Sequence, residues 1–254
     1  MGLLDGKTCV VSGVGPGLGQ AIAKALAREG GRVVLAARSK DYLEQVAAEI
    51  GQPDRTLVVP TDVTDRDACE ALVEAAGTVD VLVNSAFRPD VFQPFERADL
   101  DAYRAIFDVN VWGSLQLTQA AVPAMKERGG SIVFVNSMVV RKGGRLQTGY
   151  AASKGALLAA ARSMALELGR YRIRVNSVVP GWMLGPPVEQ YLDFQAQKQG
   201  RSRDDVLGDL GKGTALGAIP TQEDCAEAVV FLASDLSRSM TGQAVDVNGG
   251  EHFH

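Results

Sequence analysis

The stretch Ser12-Gly-Val-Gly-Pro-Gly-Leu-Gly19 decides the fold, because it lies between a short apolar run and a helical pattern. The run before it, Lys7–Ser12, is rich in β-prone residues, and Gln20–Glu29 after it places apolar residues at helical spacing. Glycines permit positive φ angles and close approach of a diphosphate, and the following helix presents free N–H groups. The fingerprint G-x-G-x-x-G fails at Leu18, and the glycines follow another spacing, Gly13-x-x-x-Gly17-x-Gly19. The stretch predicts a phosphate-binding turn, with a tight turn of purely structural role as the alternative.

The alternation of apolar runs and helical patterns continues to the end of the chain. Further strands are predicted at Arg32–Ala37 and near residues 56–60, 79–83, 131–136, 172–178 and 243–247. Further helices are predicted at Asp41–Ile50 and near residues 65–76, 99–127, 149–169 and 222–233, with Pro123 as a candidate break in the long one. About seven strands alternating with helices predict an α/β fold, a doubly wound parallel sheet with helices on both faces, Rossmann-like, in one domain over residues 1–254.

Composition excludes several classes of protein. The net charge of −4 with no basic run argues against nucleic acid as a partner. The two histidines, His252 and His254, both lie in the last three residues, so neither a histidine triad nor a metal site is expected. Three scattered cysteines and the absence of a signal-peptide pattern before Val11 indicate a reducing, cytoplasmic compartment. No apolar run has the length that a membrane span needs, and no membrane partner is expected.

Tyr150-Ala-Ala-Ser-Lys154 places a tyrosine and a lysine on one face of a predicted helix. A free phenol has a pKa of about 10, so it exchanges protons poorly at neutral pH. An ammonium one turn away favours the phenolate and lowers that pKa toward the working range. Taken alone, the pair is better explained by an exposed helix that carries an unremarkable lysine.

In combination these motifs resemble the short-chain dehydrogenase/reductase family, and the resemblance extends over essentially the whole chain. The matching residues lie in the family's order: the glycine turn with Gly13, Gly17 and Gly19, Asp62-Val63, Asn84, Asn110, Ser137, Tyr150 and Lys154 at Y-x-x-x-K, Pro180-Gly181, and Asp246–Gly250. The resemblance implies that the cofactor-binding residues are Gly13, Gly15, Gly17, Leu18, Gly19, Arg38, Asp62, Val63, Asn84, Tyr150, Lys154, Pro180 and Gly181.

The resemblance also implies a mechanism. Tyr150 is the acid for carbonyl reduction and the base for alcohol oxidation, while Lys154 lowers the Tyr150 pKa and bonds the nicotinamide ribose. Ser137 orients the substrate oxygen, and Asn110 holds a water that links Lys154 to solvent. The implied activity is hydride transfer between a nicotinamide cofactor and a small-molecule alcohol or ketone. Enoyl reductases related to the family separate their tyrosine and lysine by six residues, not three, and are excluded.

The end of the second predicted strand favours NADP(H) over NAD(H). In folds that bind NAD, a carboxylate about 20 residues past the glycine turn accepts bonds from the ribose and repels the extra phosphate of NADP. Ala37 fills that position, and Arg38 after it has a guanidinium suited to a phosphate. Pro16 stands where NADP-preferring members of the family often carry a second basic residue. Arg38 could instead stack on adenine or pair with Asp62, so NAD remains the alternative.

Two positions depart from the family pattern, and three segments predict further contacts. Phe87 replaces the usual glycine of the motif after the fourth strand, and Leu184 replaces a threonine that often bonds the nicotinamide amide. The interval 183–215 is predicted to be a substrate lid or a subunit contact. The helix after Tyr150 is apolar on more than one side, which favours a homo-oligomer, most simply a tetramer. The tail Glu251–His254 is expected to lie against a neighbouring subunit or to be disordered.

A function of another class shares this fold. A non-catalytic, dinucleotide-binding regulatory protein would need the glycine turn but would have no chemical need for the set Asn110, Ser137, Tyr150 and Lys154. The complete set therefore favours an enzyme. Trp182, Tyr191 and Phe194 indicate an apolar substrate, although aromatic residues in such positions also form cores.

Overall fold

The apolar runs of the sequence form the strands of one parallel sheet. A computed structural model describes residues 2–253, and within them the sheet has seven strands. The strands are β1 Thr8–Ser12, β2 Arg32–Ala37, β3 Thr56–Pro60, β4 Val81–Asn84, β5 Gly130–Val135, β6 Ile173–Pro180 and β7 Ala244–Val247. Each predicted strand is present, with its ends within two residues of the prediction, so the predicted α/β fold with a doubly wound parallel sheet is confirmed.

Helices connect the strands and cover both faces of the sheet. In the described part of the chain they are α1 Leu18–Arg28, α2 Lys40–Ile50, α3 Arg66–Ala76, α4 Leu100–Phe107, α5 Ser114–Met125, α6 Thr148–Leu168, α7 Pro186–Gln199, α8 Arg203–Lys212 and α9 Gln222–Ala233. None of these helices combines the length and the apolar character that crossing a membrane requires.

The strand order places a ligand-binding crevice beside β1. The order is β3-β2-β1-β4-β5-β6-β7, so the chain runs outward from β1 to β3 and then crosses back to β4 on the other side of β1. Ser12, the last residue of β1, is paired with Asn84 of β4 on one side and with Ala36 of β2 on the other. Ligands of doubly wound sheets bind outside the carboxyl ends of the strands at such a reversal of order.

Alternate residues of the strands supply two apolar cores, one on each face. Val11, Leu35 and Val83 pack with residues of α1, α2 and α9, such as Ile22 and Val229. The intervening residues, which include Val10, Leu82 and Phe134, pack with α3, α5 and α6. A parallel strand buried on both faces must be apolar at successive positions, and the uninterrupted apolar runs of the sequence reflect this requirement.

The long helix near residues 99–127 changes geometry at a place that the sequence does not indicate. Pro123 lies inside α5 and does not end it, so the candidate break at Pro123 is wrong. The change occurs in a π-helical segment, Asp108–Gly113, between α4 and α5. A Cβ at Gly113 would lie 2.6 Å from a methyl carbon of Val63, so the segment passes very close to the loop after β3. π-Helical segments recur at functional sites, and this one contains Asn110.

The interval 183–215 forms two helices that pack against each other. Leu192 of α7 and Val206 of α8 are buried, and a capping box of Ser202 and Asp205 begins α8. The interval is joined to the main body at its start, where the Leu184 amide donates to the Pro220 carbonyl at 2.8 Å. The rings of Trp182 and Tyr191 lie 5.0 Å apart. The interval predicted to be a lid or a subunit contact thus contains the two helices α7 and α8.

Candidate active site

The glycine turn between β1 and α1 has the geometry that only glycine allows. Gly13 and Gly17 have φ angles of 80° and 116°. A Cβ at Gly13 would lie 2.2 Å from the backbone nitrogen of Ala86, and a Cβ at Gly19 would lie 2.1 Å from the Gly13 oxygen. Gly17 is the N-cap of α1, and no side chain caps the first turn of this helix. The first amides of α1 are therefore free to bind an anion.

A cleft of about 940 Å³ begins at this turn. Its walls are the glycine turn, the end of β2, the loops after β3 and β4, and the α4–α5 region. Arg38 and Asp62 line it, and Oδ1 of Asp62 accepts from the backbone N (2.9 Å) and the Oγ1 (2.7 Å) of Thr64. These bonds from Thr64, with a smaller contribution from the positive charge of Arg38, lower the pKa of the Asp62 carboxyl. Asp62 is thus an ionised acceptor at the wall of the cleft.

The residues of the cleft fit a dinucleotide. Added Cβ atoms would fill the cradle around Gly13 and Gly19, and the uncapped start of α1 offers amides to a diphosphate. Asp62 accepts hydrogen bonds at the far wall, and the exposed guanidinium of Arg38 adds a positive charge. Gly13, Gly15, Arg38, Asp62 and Val63, all predicted from the sequence, share this cleft.

A second cavity of about 510 Å³ extends from the glycine turn to the start of α6. Ser137, Tyr150 and Lys154 line it, as do Pro180 and Gly181 after β6. Gly13, Gly15, Gly17, Leu18 and Gly19 border the same cavity from the side of β1. The structure therefore brings the predicted phosphate turn and three of the four predicted catalytic residues to one continuous space.

Lys154 belongs to α6, and its side chain is buried against the carboxyl end of β5. Its side chain is 3% exposed, and its Nζ donates to the Val135 carbonyl at 2.7 Å. The same nitrogen lies 5.6 Å from the centre of the Tyr150 ring. Removal from water disfavours the charged form and lowers the pKa of Lys154 to about 8.

Tyr150 lies one turn earlier on α6, and its ring is near both the Lys154 nitrogen and the Phe87 ring. The rings of Phe87 and Tyr150 meet edge to face, with centres 6.3 Å apart. Burial raises the pKa of the Tyr150 phenol to about 12, although a hydrogen bond with the Ser137 side chain acts in the opposite direction. The pKa of this phenol is therefore raised, where the sequence predicted a lowering by Lys154, because loss of hydration is the largest influence on it.

Comparison with known proteins agrees with this geometry. A family model described as enoyl-(acyl-carrier-protein) reductase matches residues 13–252. The chain is 37% identical to the 3-oxoacyl-(acyl-carrier-protein) reductase FabG of Thermotoga maritima, over 97% of this chain and 98% of the relative. It is 36% identical to the L-rhamnose 1-dehydrogenase (NAD(P)(+)) of Azotobacter vinelandii, over 98% and 97% of the two chains. The crystal structure of an actinorhodin polyketide ketoreductase variant with NADPH superposes with a TM-score of 0.89, at 28% identity and 98% coverage of both chains.

The chain belongs to the short-chain dehydrogenase/reductase family. The match extends through nearly the full length of the chain and its relatives, and the seven-stranded sheet is the family's fold. The resemblance inferred from the ordered motifs is thus confirmed. The relatives named above are oxidoreductases, so the protein is an oxidoreductase of this family.

Asn110 does not line either cavity of this short-chain dehydrogenase/reductase. Its side chain is fully buried, and its Oδ1 accepts from the Arg88 backbone N at 2.6 Å. Its Nδ2 donates to the Arg88 carbonyl (3.1 Å) and to the Ser153 Oγ (3.0 Å). The amide thus fastens the loop after β4 to α6, and the water-holding role that the resemblance implies stays a prediction.

Asn84 is placed differently from the expected cofactor contact. It is the last residue of β4, 2% exposed, and its Nδ2 donates to the Thr118 Oγ1 of α5 at 3.0 Å. The cleft is lined instead by the next residues, Ser85 and Ala86. The alternation of side chains along β4 explains the difference, because Asn84 faces the helix layer of α5.

Several residues of the site were not identified from the sequence. Trp112, on the π-helical segment, lines the larger cleft, and Glu251 lines the smaller cavity beside Lys142. Lys142 and Glu251 form a salt bridge, and the Glu251 carboxylate also accepts from the Trp182 backbone N at 3.3 Å. Isolated charged residues far apart in sequence carry no signal of such a contact.

Proposed function

We propose that the protein transfers a hydride between NADP(H) and a secondary alcohol or ketone. The observation that carries the proposal is the continuous cavity that joins the glycine turn to Ser137, Tyr150 and Lys154. When bound, the nicotinamide cofactor supplies or accepts the hydride. The glycine turn, Arg38 and Asp62 would hold the adenosine and phosphate groups, and Leu18, Pro180 and Gly181 border the nicotinamide end.

Three side chains of the cavity would handle the proton and the substrate oxygen. Tyr150 keeps its proton at neutral pH because its pKa is raised, so it is the donor to the oxygen of a carbonyl substrate. Ser137 lines the same cavity as Tyr150 and would orient the same oxygen. Lys154 adds a proton-bearing nitrogen with a pKa of about 8 beneath the phenol ring. In the oxidative direction the ionised form of Tyr150 would accept the proton from the alcohol instead.

Two alternative functions have less support than hydride transfer to a ketone or from an alcohol. A non-catalytic dinucleotide sensor would not require a buried ammonium beside a half-buried phenol, because burying the ammonium is costly unless it has a use. Enoyl reduction is disfavoured by the three residues that separate Tyr150 and Lys154, despite the description of the matching family model. The named relatives that reduce 3-oxoacyl chains or oxidise rhamnose support chemistry at a carbon bearing oxygen.

The smaller cavity suits a substrate with apolar surface. Phe87, Met138, Val139, Trp182, Met183 and Val188 form much of its wall. The charged groups Lys142 and Glu251 neutralise each other, so neither presents an uncompensated charge. The start of the interval 183–215 lies over this cavity, which supports its role as a lid. The three buried free cysteines are consistent with a reducing compartment, the cytoplasm.

Tyr150→Phe is expected to lower kcat by about 10²–10⁴-fold, because the substitution removes the proton donor and leaves the ring. The affinity for NADPH, measured by fluorescence titration, should stay nearly unchanged. Tyr171→Phe is the matched control, since Tyr171 contacts Lys126 and Arg170 away from the cavity. Lys154→Met should reduce both kcat and cofactor affinity. Retention of more than about a tenth of the kcat by Tyr150→Phe would refute the assignment.

The wild-type protein is expected to prefer NADP(H) over NAD(H) by about ten- to hundredfold in kcat/KM, because a charge-assisted bond to phosphate contributes about 1.5–3 kcal/mol. Ala37 and Arg38 both line the cleft, and Arg38 is exposed. Ala37→Asp should reverse the preference by adding a repulsive carboxylate. A wild-type preference for NAD(H), measured with both cofactors and one substrate, would favour the alternative.

The protein is expected to be a homotetramer. One face of α6 packs in the core through Leu157, Ala161 and Ala165, while Ala159 and Leu166 on its other side are exposed, Leu166 to 87%. Leu166→Glu should therefore yield smaller species in light scattering at micromolar concentration. Leu236→Glu is the control, because Leu236 is also exposed but lies outside α6. A monomeric wild-type protein would contradict the expectation.

Within the described part of the tail, Phe253 is 78% exposed, while His254 lies outside the described residues.

A further inference from the structure

Asp90 is a buried carboxylate that contacts the backbone of Tyr150. It lies in the loop between β4 and α4 and is 6% exposed. Its Oδ2 accepts from the Tyr150 backbone N at 2.7 Å, and its Oδ1 accepts from the Val91 backbone N at 2.8 Å. Among the salt bridges between residues 2–253, none includes Asp90. Within residues 2–253, the hydrogen-bond partners of this buried carboxyl group are therefore two backbone amides.

The contact replaces a cap that α6 does not have locally. The helix starts at Thr148 after Gln147, and no side chain at that N-cap bonds to its first turn. Tyr150 is the third residue of α6, so its amide is one of the donors that lack a partner inside the helix. A carboxylate is favourable at this positive end of the helix. Asp90 supplies it from 60 residues earlier in the chain.

The loop that carries Asp90 is held by contacts of two residues that precede Asp90, Phe87 and Arg88. Asn110 holds both backbone groups of Arg88 and also donates to the Ser153 Oγ. The Ser153 hydroxyl in turn donates to the Tyr150 carbonyl at 2.7 Å. Phe87, at the start of the same loop, meets the Tyr150 ring edge to face. The segment 87–90 therefore contacts both the backbone and the ring of Tyr150.

We propose that Asp90 is a positioning residue for Tyr150, setting where the phenol lies relative to Ser137 and the cavity. The proposal rests on the proposed function, in which Tyr150 exchanges the proton with the substrate. A catalytic group displaced by about 1 Å can lose about 10²-fold in rate, so a single cap at this point has a large effect. The bond needs an acceptor oxygen at the Tyr150 amide and does not need the charge itself.

The test compares Asp90→Ala with Asp90→Asn, which keeps an acceptor oxygen of the same reach. Asp90→Ala should lower kcat by about tenfold or more, with a much smaller change in KM for the cofactor, and should alter the pH profile of kcat. Asp90→Asn should restore most of the kcat and the wild-type pH profile. Asp99→Ala is the matched control, because Asp99 caps the exposed start of α4 through the Asp101 amide at 2.9 Å. It should lower stability and leave kcat unchanged.

Hydrogen exchange of the peptide spanning residues 147–153 provides a readout that does not depend on activity. Asp90→Ala should speed exchange at this peptide, and Asp99→Ala should not. If Asp90→Ala does not fold, Asp90→Glu, which moves the carboxylate by one methylene, should lower kcat while keeping the charge. A wild-type kcat and pH profile in Asp90→Ala, or equal losses in Asp90→Ala and Asp90→Asn, would overturn the proposal. If Asp90→Ala shows faster exchange but the wild-type protein reduces no carbonyl substrate, the proposed function is refuted. The contact between Asp90 and the Tyr150 amide is then still supported.

Discussion

The burial of Lys154 is the constraint on which the site depends. An ammonium removed from water needs a partner, and the Val135 carbonyl at the end of β5 supplies one at 2.7 Å. That bond ties the middle of α6 to the carboxyl edge of the sheet. Tyr150, one turn earlier, must then face the cavity that Ser137 enters from the loop after β5. Small residues along α6, such as Ala151 and Gly155, leave space around the pair.

The same loss of hydration acts on both members of the pair in opposite senses. Burial favours the neutral phenol and raises the pKa of Tyr150 to about 12, and it favours the neutral amine and lowers the pKa of Lys154 to about 8. Near neutral pH the tyrosine is thus protonated, and the pKa of the lysine lies closer to neutrality than that of an ordinary lysine. A Tyr150 pKa nearer the working pH would require a further positive charge beside the phenol.

The sequence predicts the fold well because strand burial leaves a simple pattern. Seven apolar runs and the helical segments between them match the observed elements closely, and the glycine turn identifies the crevice. The long-range contacts of the site leave no such pattern. Asp90 bonds to the Tyr150 amide 60 residues away, and the π-helical segment at Asn110 has no signature in composition or periodicity. Asn84 matches a family motif, but the face of the sheet on which its side chain lies depends on its position along the strand.

The pKa of the Tyr150 phenol, with and without cofactor, tests the central claim that burial raises this pKa and holds the residue protonated. It can be measured as the phenolate absorbance of the wild-type protein minus that of Tyr150→Phe across a pH series. The account predicts a midpoint of about 12 in the free protein and a lower midpoint when NADP⁺ saturates the cleft. A midpoint near the ordinary value of about 10 in the free protein, or one that the cofactor leaves unmoved, would contradict it.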